Sequence, residues 1–414
     1  MRAQTLNTVP TLVPDFDHQD EIFSSAFSIL RQAIAERAFP AASIAVTHAG
    51  RLVALKALGH FAYEKDPDTP RLADFAGCGD FGVTTATLFD LASVTKVVVT
   101  TTTAMILYGR GLLELDAPII GLIPEFRSSS DSRRDSVTFR MLLAHSSGLP
   151  AYEKLFLKAS TRDDLLHAAF TTPLAADPGS RAEYSDIGFI ILGTALERIA
   201  QESLGRFCQR EIFGPLAMTH TTFNPPDEMR MRIPPTADDH TFRHRIIQGE
   251  VQDENAFVLG GIAGHAGLFS TAEDLARFAH SMLQCGAGTL AREMSPAPAP
   301  SGAGRKEVRL IVRPETAALF TRRESAPAGS SRALGWDTPS PPSQSGIHFS
   351  PASFGHLGYT GTSLWIDPER QLSITLLTNR TWPDCANQAI KQVRPKFHDA
   401  VIEALLNLGQ RAAR

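Results

Sequence analysis

Ser93-Val94-Thr95-Lys96 is the only S-x-x-K in a chain of 414 residues. It pairs a hydroxyl with an amine, the combination that nucleophilic acyl transfer needs. The motif alone says little, because ordinary Ser and Lys usage yields on the order of one chance match in a chain this long. Its meaning depends on the backbone. On a helix, positions i and i+3 share a face, and Lys96 reaches the Ser93 hydroxyl. On a strand, an odd separation sends the two to opposite faces and the pair is meaningless. Composition leaves both readings open. Val97 to Thr103 is β-branched throughout, as in a buried strand. The apolar and small run then continues through Tyr108, which is long for a strand and suits a buried helix.

Two further segments carry polar groups in usable patterns. Tyr184-Ser185-Asp186 follows the turn-forming Pro178-Gly179-Ser180 and precedes an apolar run, Ile187–Leu192. In an extended loop Tyr184 and Asp186 point the same way, and a phenol beside an amine can shuttle a proton. An isolated Tyr is more often a half-buried packing residue. The glycine-rich stretch from Phe354 to Trp365 lets backbone approach a ligand and offers peptide N–H donors, with His356 beside them. Its bland reading is a β-bulge with a surface histidine.

Other chemistries find no support. The four cysteines (Cys78, Cys208, Cys285, Cys385) form no C-x-x-C pair and read as ordinary thiols. His240 and His244 have i,i+4 spacing but no helix or third ligand, so no metal is expected. His145 and His265 read as loop architecture, and Trp365 and Trp382 as core. There is no G-x-S-x-G elbow and no phosphate-binding loop, and no cofactor is called for. A net charge of −4 without a dense basic run argues against nucleic acid. No segment approaches a membrane span. The N-terminus lacks an apolar run and is acidic early, which fits a cytoplasmic protein, or a periplasmic one that has lost its export signal.

The elements that must position these groups follow from periodicity. Residues 1–18 read as a loose leader, and Asp20–Ala35 as an amphipathic helix. Ala42–His48 and Arg51–Leu58 flank an Ala49-Gly50 turn as a hairpin, and Ser363–Ile366 with Leu372–Leu377 form a second. Ser270 to Glu273 has the form of a capping box for a helix through Asp274–Leu283, and Asp384–Leu408 reads as a closing helix. Pro/Ser/Gly-rich Ser295–Gly304 and Ser325–Gly346 read as surface loops. Strands at both ends with helices between them imply a discontinuous α/β sheet domain, 19–86 plus 261–414, around a mainly helical domain, 87–260.

Taken together and in this order, the motifs resemble those of the β-lactamase-like serine hydrolases, the superfamily of class C β-lactamases, D-alanyl-D-alanine carboxypeptidases and related esterases. Ser93–Lys96 matches the first motif, Tyr184-Ser185-Asp186 the Y-x-N position, and His356-Leu357-Gly358 the K-T-G or H-x-G position. Leu142–Pro150 and Gly260–Ala272 support the match, which spans roughly Phe39 to Leu408. The resemblance implies an α+β fold: an antiparallel sheet flanked by helices plus an inserted all-helical domain, with the site in the cleft between them. It implies a nucleophilic Ser93, proton transfer through Lys96 and Tyr184, and an oxyanion hole from the N–H groups of Ser93 and Tyr359. Asp186, His356 and Gly358 would contact substrate.

Two departures bear on activity. Asp186 replaces the usual Asn, and a carboxylate there holds Lys96 protonated and shifts the base role towards Tyr184, although it also raises the Tyr184 pKa. Leu357 replaces a common Thr, whose hydroxyl helps grip the carboxylate of a β-lactam. The expectation is therefore an esterase or peptidase-like hydrolase of small esters, amides or peptides, with muropeptides among them because Gly249–Phe269 resembles segments of cell-wall-processing members. The alternatives are a non-catalytic penicillin-binding-type sensor and a true class C-like β-lactamase.

Overall fold

The computed structural model describes residues 12–63, 82–293 and 310–412. Its organising element is one six-stranded sheet in which the two ends of the chain meet. The strands are β1 (Val13–Pro14), β2 (Ala41–His48), β3 (Arg51–Gly59), β4 (Phe354–Leu357), β5 (Ser363–Asp367) and β6 (Leu372–Thr378). They lie in the order β1-β3-β2-β6-β5-β4, antiparallel except for the β1/β3 pair. Both expected hairpins form. At the first, Ala49 and Gly50 adopt φ values of 48° and 79°, the left-handed pair that a two-residue turn between twisted strands requires.

Five helices position the site: α1 (Ser24–Ala35), α2 (residues 92–109), α3 (Asp186–Ala200), α4 (Ala272–Glu293) and α5 (Ile390–Ala412). The period of two decides which strand residues meet which helix. Ile44, Val46 and Ile374 join Phe27 and Leu30 of α1 and Phe397 and Val401 of α5 on one face. Ala45, Leu364 and Leu377 meet Leu275 and Phe278 of α4 on the other. The result is an α/β fold with an antiparallel sheet flanked by helices, joined to a mainly helical part built from the middle of the chain.

Several boundaries differ from the sequence reading. From Leu12 onward the segment expected to be a loose leader belongs to the fold: Leu12 is buried, and Val13 and Pro14 pair with Arg51 and Leu52 at the sheet edge. Residues 1–11 lie outside the described set. The cap of α4 is Thr271, whose Oγ1 accepts from Asp274 N–H at 3.2 Å, because Ser270 is already committed to a strand with Phe89. Helix α5 starts at Ile390, not Asp384, because the Asp384 and Asn387 side chains accept from the N–H groups of Ala386 and Ala389 and hold turns instead. The middle of the chain also holds two small sheets, Phe89–Asp90, Leu268–Ser270 and Thr222–Phe223 in one, and Pro235–Asp239 with Arg245–Gln248 in the other. Ser295–Gly304 and Cys78 fall outside the described residues, whereas the Ser325–Gly346 loop carries the fully buried Leu334 and Trp336.

Helix α2 resolves the Val/Thr ambiguity. It opens as a 3₁₀ turn at Ala92–Val94, widens to π geometry over Lys96–Thr101 and ends as α-helix over Thr102–Gly109. Every side chain from Lys96 to Leu107 is buried. Strand propensity is overridden by packing on all sides. Two of the threonine hydroxyls find carbonyls inside: Thr102 donates to that of Val97 at 2.8 Å and Thr100 to that of Gly264 at 2.5 Å.

Candidate active site

Ser93 lies in the first turn of α2 on the wall of a cleft of about 760 Å³. Being helical, the segment turns Lys96 back onto it, and Lys96 Nζ donates to Ser93 Oγ at 3.0 Å. Tyr184 reaches the same oxygen from the loop ahead of α3, its hydroxyl donating at 2.7 Å. Asp186, the first residue of α3, accepts from Lys96 Nζ at 2.6 Å. The carbonyl of His265 accepts the third Lys96 hydrogen at 3.0 Å. The three residues expected to handle nucleophile and proton thus meet around one oxygen, although 91 positions separate Ser93 from Tyr184.

Charge around Ser93 is set by burial and by Asp186. Lys96 is wholly buried. Burial works against its charge, but the Asp186 carboxylate and the Tyr184 phenol outweigh that and hold the ammonium above its ordinary pKa. Burial, and then Asp186, push the Tyr184 phenol up to about 12 against the opposing pull of Lys96. At rest the site therefore holds an ammonium and a neutral phenol. Asp186 was expected to contact substrate; it also lines the cleft, and its closest partner is Lys96.

The loop carrying Tyr184 is held by His145. Its Nδ1 accepts from Ser185 N–H at 3.0 Å, and its ring packs 4.7 Å from Tyr184 and 4.9 Å from Phe189, centroid to centroid. Ser185 in turn caps α3, accepting from Gly188 N–H at 3.0 Å. His265, expected as loop architecture, also lines the cleft: its side chain hydrogen-bonds Asp253 at 2.8 Å while its carbonyl faces Lys96.

The opposite wall is the turn between β4 and β5. Gly358 approaches the start of α2 so closely that a Cβ would lie 2.6 Å from the Leu91 carbonyl oxygen. Thr360 and Thr362 strap the turn down, donating to the carbonyls of Asp90 and Leu91 at 2.8 and 3.0 Å. The N–H groups of Ser93 and Tyr359 have no partner among the described residues. His356 is buried, and burial, then Lys96 and Arg332, push its pKa well below the ordinary value. It is a neutral imidazole whose Nδ1–H donates to the Leu357 carbonyl at 2.8 Å. Its Nε2, an acceptor, has no partner among the described residues.

Sequence reasoning missed several contributors. Arg332 lines the cleft with its guanidinium 5.5 Å from the Tyr184 ring centre. Asp90, whose carboxyl burial pushes up to about 6, accepts from the N–H groups of Ala92 and Gln252 and so sets the entry to α2. Neither lies in a motif that marks it. Trp365 and Trp382 are core residues, 1% and 2% exposed. Among the described residues no His/Cys/Asp/Glu cluster could hold a metal, and no helix is long and apolar enough to cross a membrane.

The family model described as Beta-lactamase matches residues 27–394, and the chain belongs to that family of serine hydrolases. A protein of Escherichia coli (strain K12), provisionally named a D-alanyl-D-alanine carboxypeptidase, is 33% identical over 325 residues, 72% of this chain and 70% of its own. Among solved structures, EstCE1, a hydrolase with promiscuous acyltransferase activity, superposes with a TM-score of 0.68 at 20% identity, covering 92% of this chain and 99% of its own. A penicillin-binding protein homologue from Caulobacter crescentus gives 0.66 at 19% identity, covering 95% and 99%.

Proposed function

We propose that the protein hydrolyses a small ester or amide through an acyl-enzyme on Ser93. The observation that carries this reading is the convergence of Tyr184 OH and Lys96 Nζ on Ser93 Oγ, at 2.7 and 3.0 Å, beside a cleft. The Ser93 proton passes to the base as Oγ bonds to the substrate carbonyl carbon. The oxyanion so formed lies between the N–H groups of Ser93 and Tyr359, an arrangement worth about 3–4 kcal/mol per donor. Collapse breaks the bond to the leaving group, which takes the proton back, and water then releases the acyl group.

Tyr184 is the base in this scheme. All three Lys96 hydrogens point at acceptors, so the lysine serves as the standing cation that stabilises a Tyr184 phenolate. The neutral His356 offers a lone pair to a substrate N–H or O–H, and without a Thr at Leu357 a carboxylate finds a weaker grip. Both features favour esterase or peptidase action over efficient β-lactam turnover. The name of the Escherichia coli relative makes D-alanyl peptides the first amides to screen.

Intact mass after exposure to a fluorophosphonate tests the reading. A single adduct on wild type, absent in Ser93→Ala together with p-nitrophenyl ester hydrolysis, is the expected result. No adduct and no hydrolysis across esters, D-amino-acid amides, muropeptides and β-lactams would point instead to a binding or sensor protein. Rapid turnover of penicillins would overturn the esterase or peptidase preference.

A further inference from the structure

Arg394, in the first turns of α5, is 5% exposed and makes no ion pair among the described residues. Burial, and then Arg380, push its guanidinium down to about 9. An uncompensated buried cation is costly, so its surroundings must use the charge. What it touches is specific. Nη2 donates to the carbonyl of Gly358 at 3.0 Å and Nε to that of Gly361 at 3.1 Å. The Gly358 carbonyl belongs to the same peptide unit as the Tyr359 N–H. In a trans peptide those two groups point in opposite directions, so a cation seated behind the carbonyl aims the N–H away from itself and polarises it.

Arg394 also borders the cleft; we propose that it is nonetheless a positioning residue for the oxyanion hole, acting through the Gly358–Tyr359 peptide and not through contact with substrate. The inference rests on Ser93 as nucleophile and Tyr359 N–H as oxyanion donor. The Gly358 carbonyl also accepts from Gly361 N–H at 3.0 Å, and Arg380 donates to the Tyr359 carbonyl at 2.7 Å, so the turn is gripped from both arginines. Of the two arginines, only Arg394 reaches the peptide that carries the donor.

The test uses an uncharged acyl donor such as p-nitrophenyl acetate, which gives an anion-binding arginine nothing to hold. In Arg394→Met the single-turnover acylation rate falls about tenfold to a hundredfold, less than deleting a donor outright, while the dissociation constant of the substrate stays close to wild type. The infrared carbonyl band of the acyl-enzyme moves to higher wavenumber, because a misdirected N–H polarises the acyl C=O less. Should Arg394→Met fail to fold, Arg394→Gln is measured in its place, with circular dichroism and melting to show the fold intact. An acyl band at the wild-type position in either folded variant overturns the proposal, as does a rate loss confined to anionic substrates. Absence of any acyl-enzyme on wild-type Ser93 would instead sink the underlying reading of the site.

Discussion

Lys96 has no hydrogen left over: Ser93 Oγ, Asp186 and the His265 carbonyl take all three. A residue so engaged is an ammonium, and in the proposed scheme the proton that must move is the one on Tyr184. A base works only once deprotonated, and burial with Asp186 raises this phenol to about 12. The active form is then scarce at neutral pH and gains roughly tenfold for each pH unit below that pKa. Acylation of wild type is accordingly expected to climb through pH 7–9 without a plateau, and a flat profile there would rule out Tyr184 as base. Asp186→Asn removes the negative charge that lifts both Tyr184 and Lys96, so its profile moves to lower pH by about one unit or more. Tyr184→Phe leaves the packing against His145 and loses about a hundredfold or more in acylation rate, measured under single turnover.

At the scale of elements, glycines decide how near the catalytic segments come. Gly193 of α3 faces the 260–267 loop with no room between them: a Cβ there would lie 2.8 Å from Gly264 Cα, and one on Gly264 would strike the Phe189 carbonyl. That backbone contact sets the His265 carbonyl against Lys96. Gly193→Ala is expected to force the loop outward, costing about 1–3 kcal/mol by urea unfolding and slowing acylation, with Lys96 short of one acceptor. Wild-type kinetics in the variant would show that the carbonyl does not matter. The same scale shows what the sequence could convey. Short strand-like runs around turn residues placed both hairpins within a residue or two, because Ala49-Gly50 and Asp367–Arg370 mark where the chain must reverse. The Val97–Thr103 run could not declare itself a helix, since all its sides are buried and periodicity has nothing to distinguish. The meeting of Ser93, Lys96 and Tyr184 was legible through side-chain chemistry and order. The His265 carbonyl, the Asp90 carboxylate behind Ala92 and the Arg394 guanidinium behind Gly358 were not: a backbone acceptor leaves no mark in a sequence, and an arginine among many does not announce which carbonyl it holds.

The whole molecule closes on its C-terminal helix. β6 pairs with β2 along seven residues, from Leu372 opposite His48 to Thr378 opposite Ala42, so the sheet forms only when segments more than 300 positions apart in the chain meet. Helix α5 then seals one face of that sheet with Ile390, Phe397, Val401 and Ile402, all at most 2% exposed. Full burial of such side chains is worth about 1.5–3 kcal/mol each, or roughly 6–12 kcal/mol for the four. A domain has about 5–15 kcal/mol of net stability to lose. Ending the chain at Ala389 is therefore expected to abolish the cooperative thermal transition expected of the full chain, even though Ser93, Lys96 and Tyr184 are all retained. The contrast with Arg394→Met separates two uses of one helix. The truncation should destroy the melting transition and the Ser93 adduct together, whereas the point change should keep the melt and the adduct while slowing acylation and shifting the acyl carbonyl band. A truncated chain that melts like the full one would mean that the sheet face does not depend on α5, and the helix would then matter to the site through Arg394 alone.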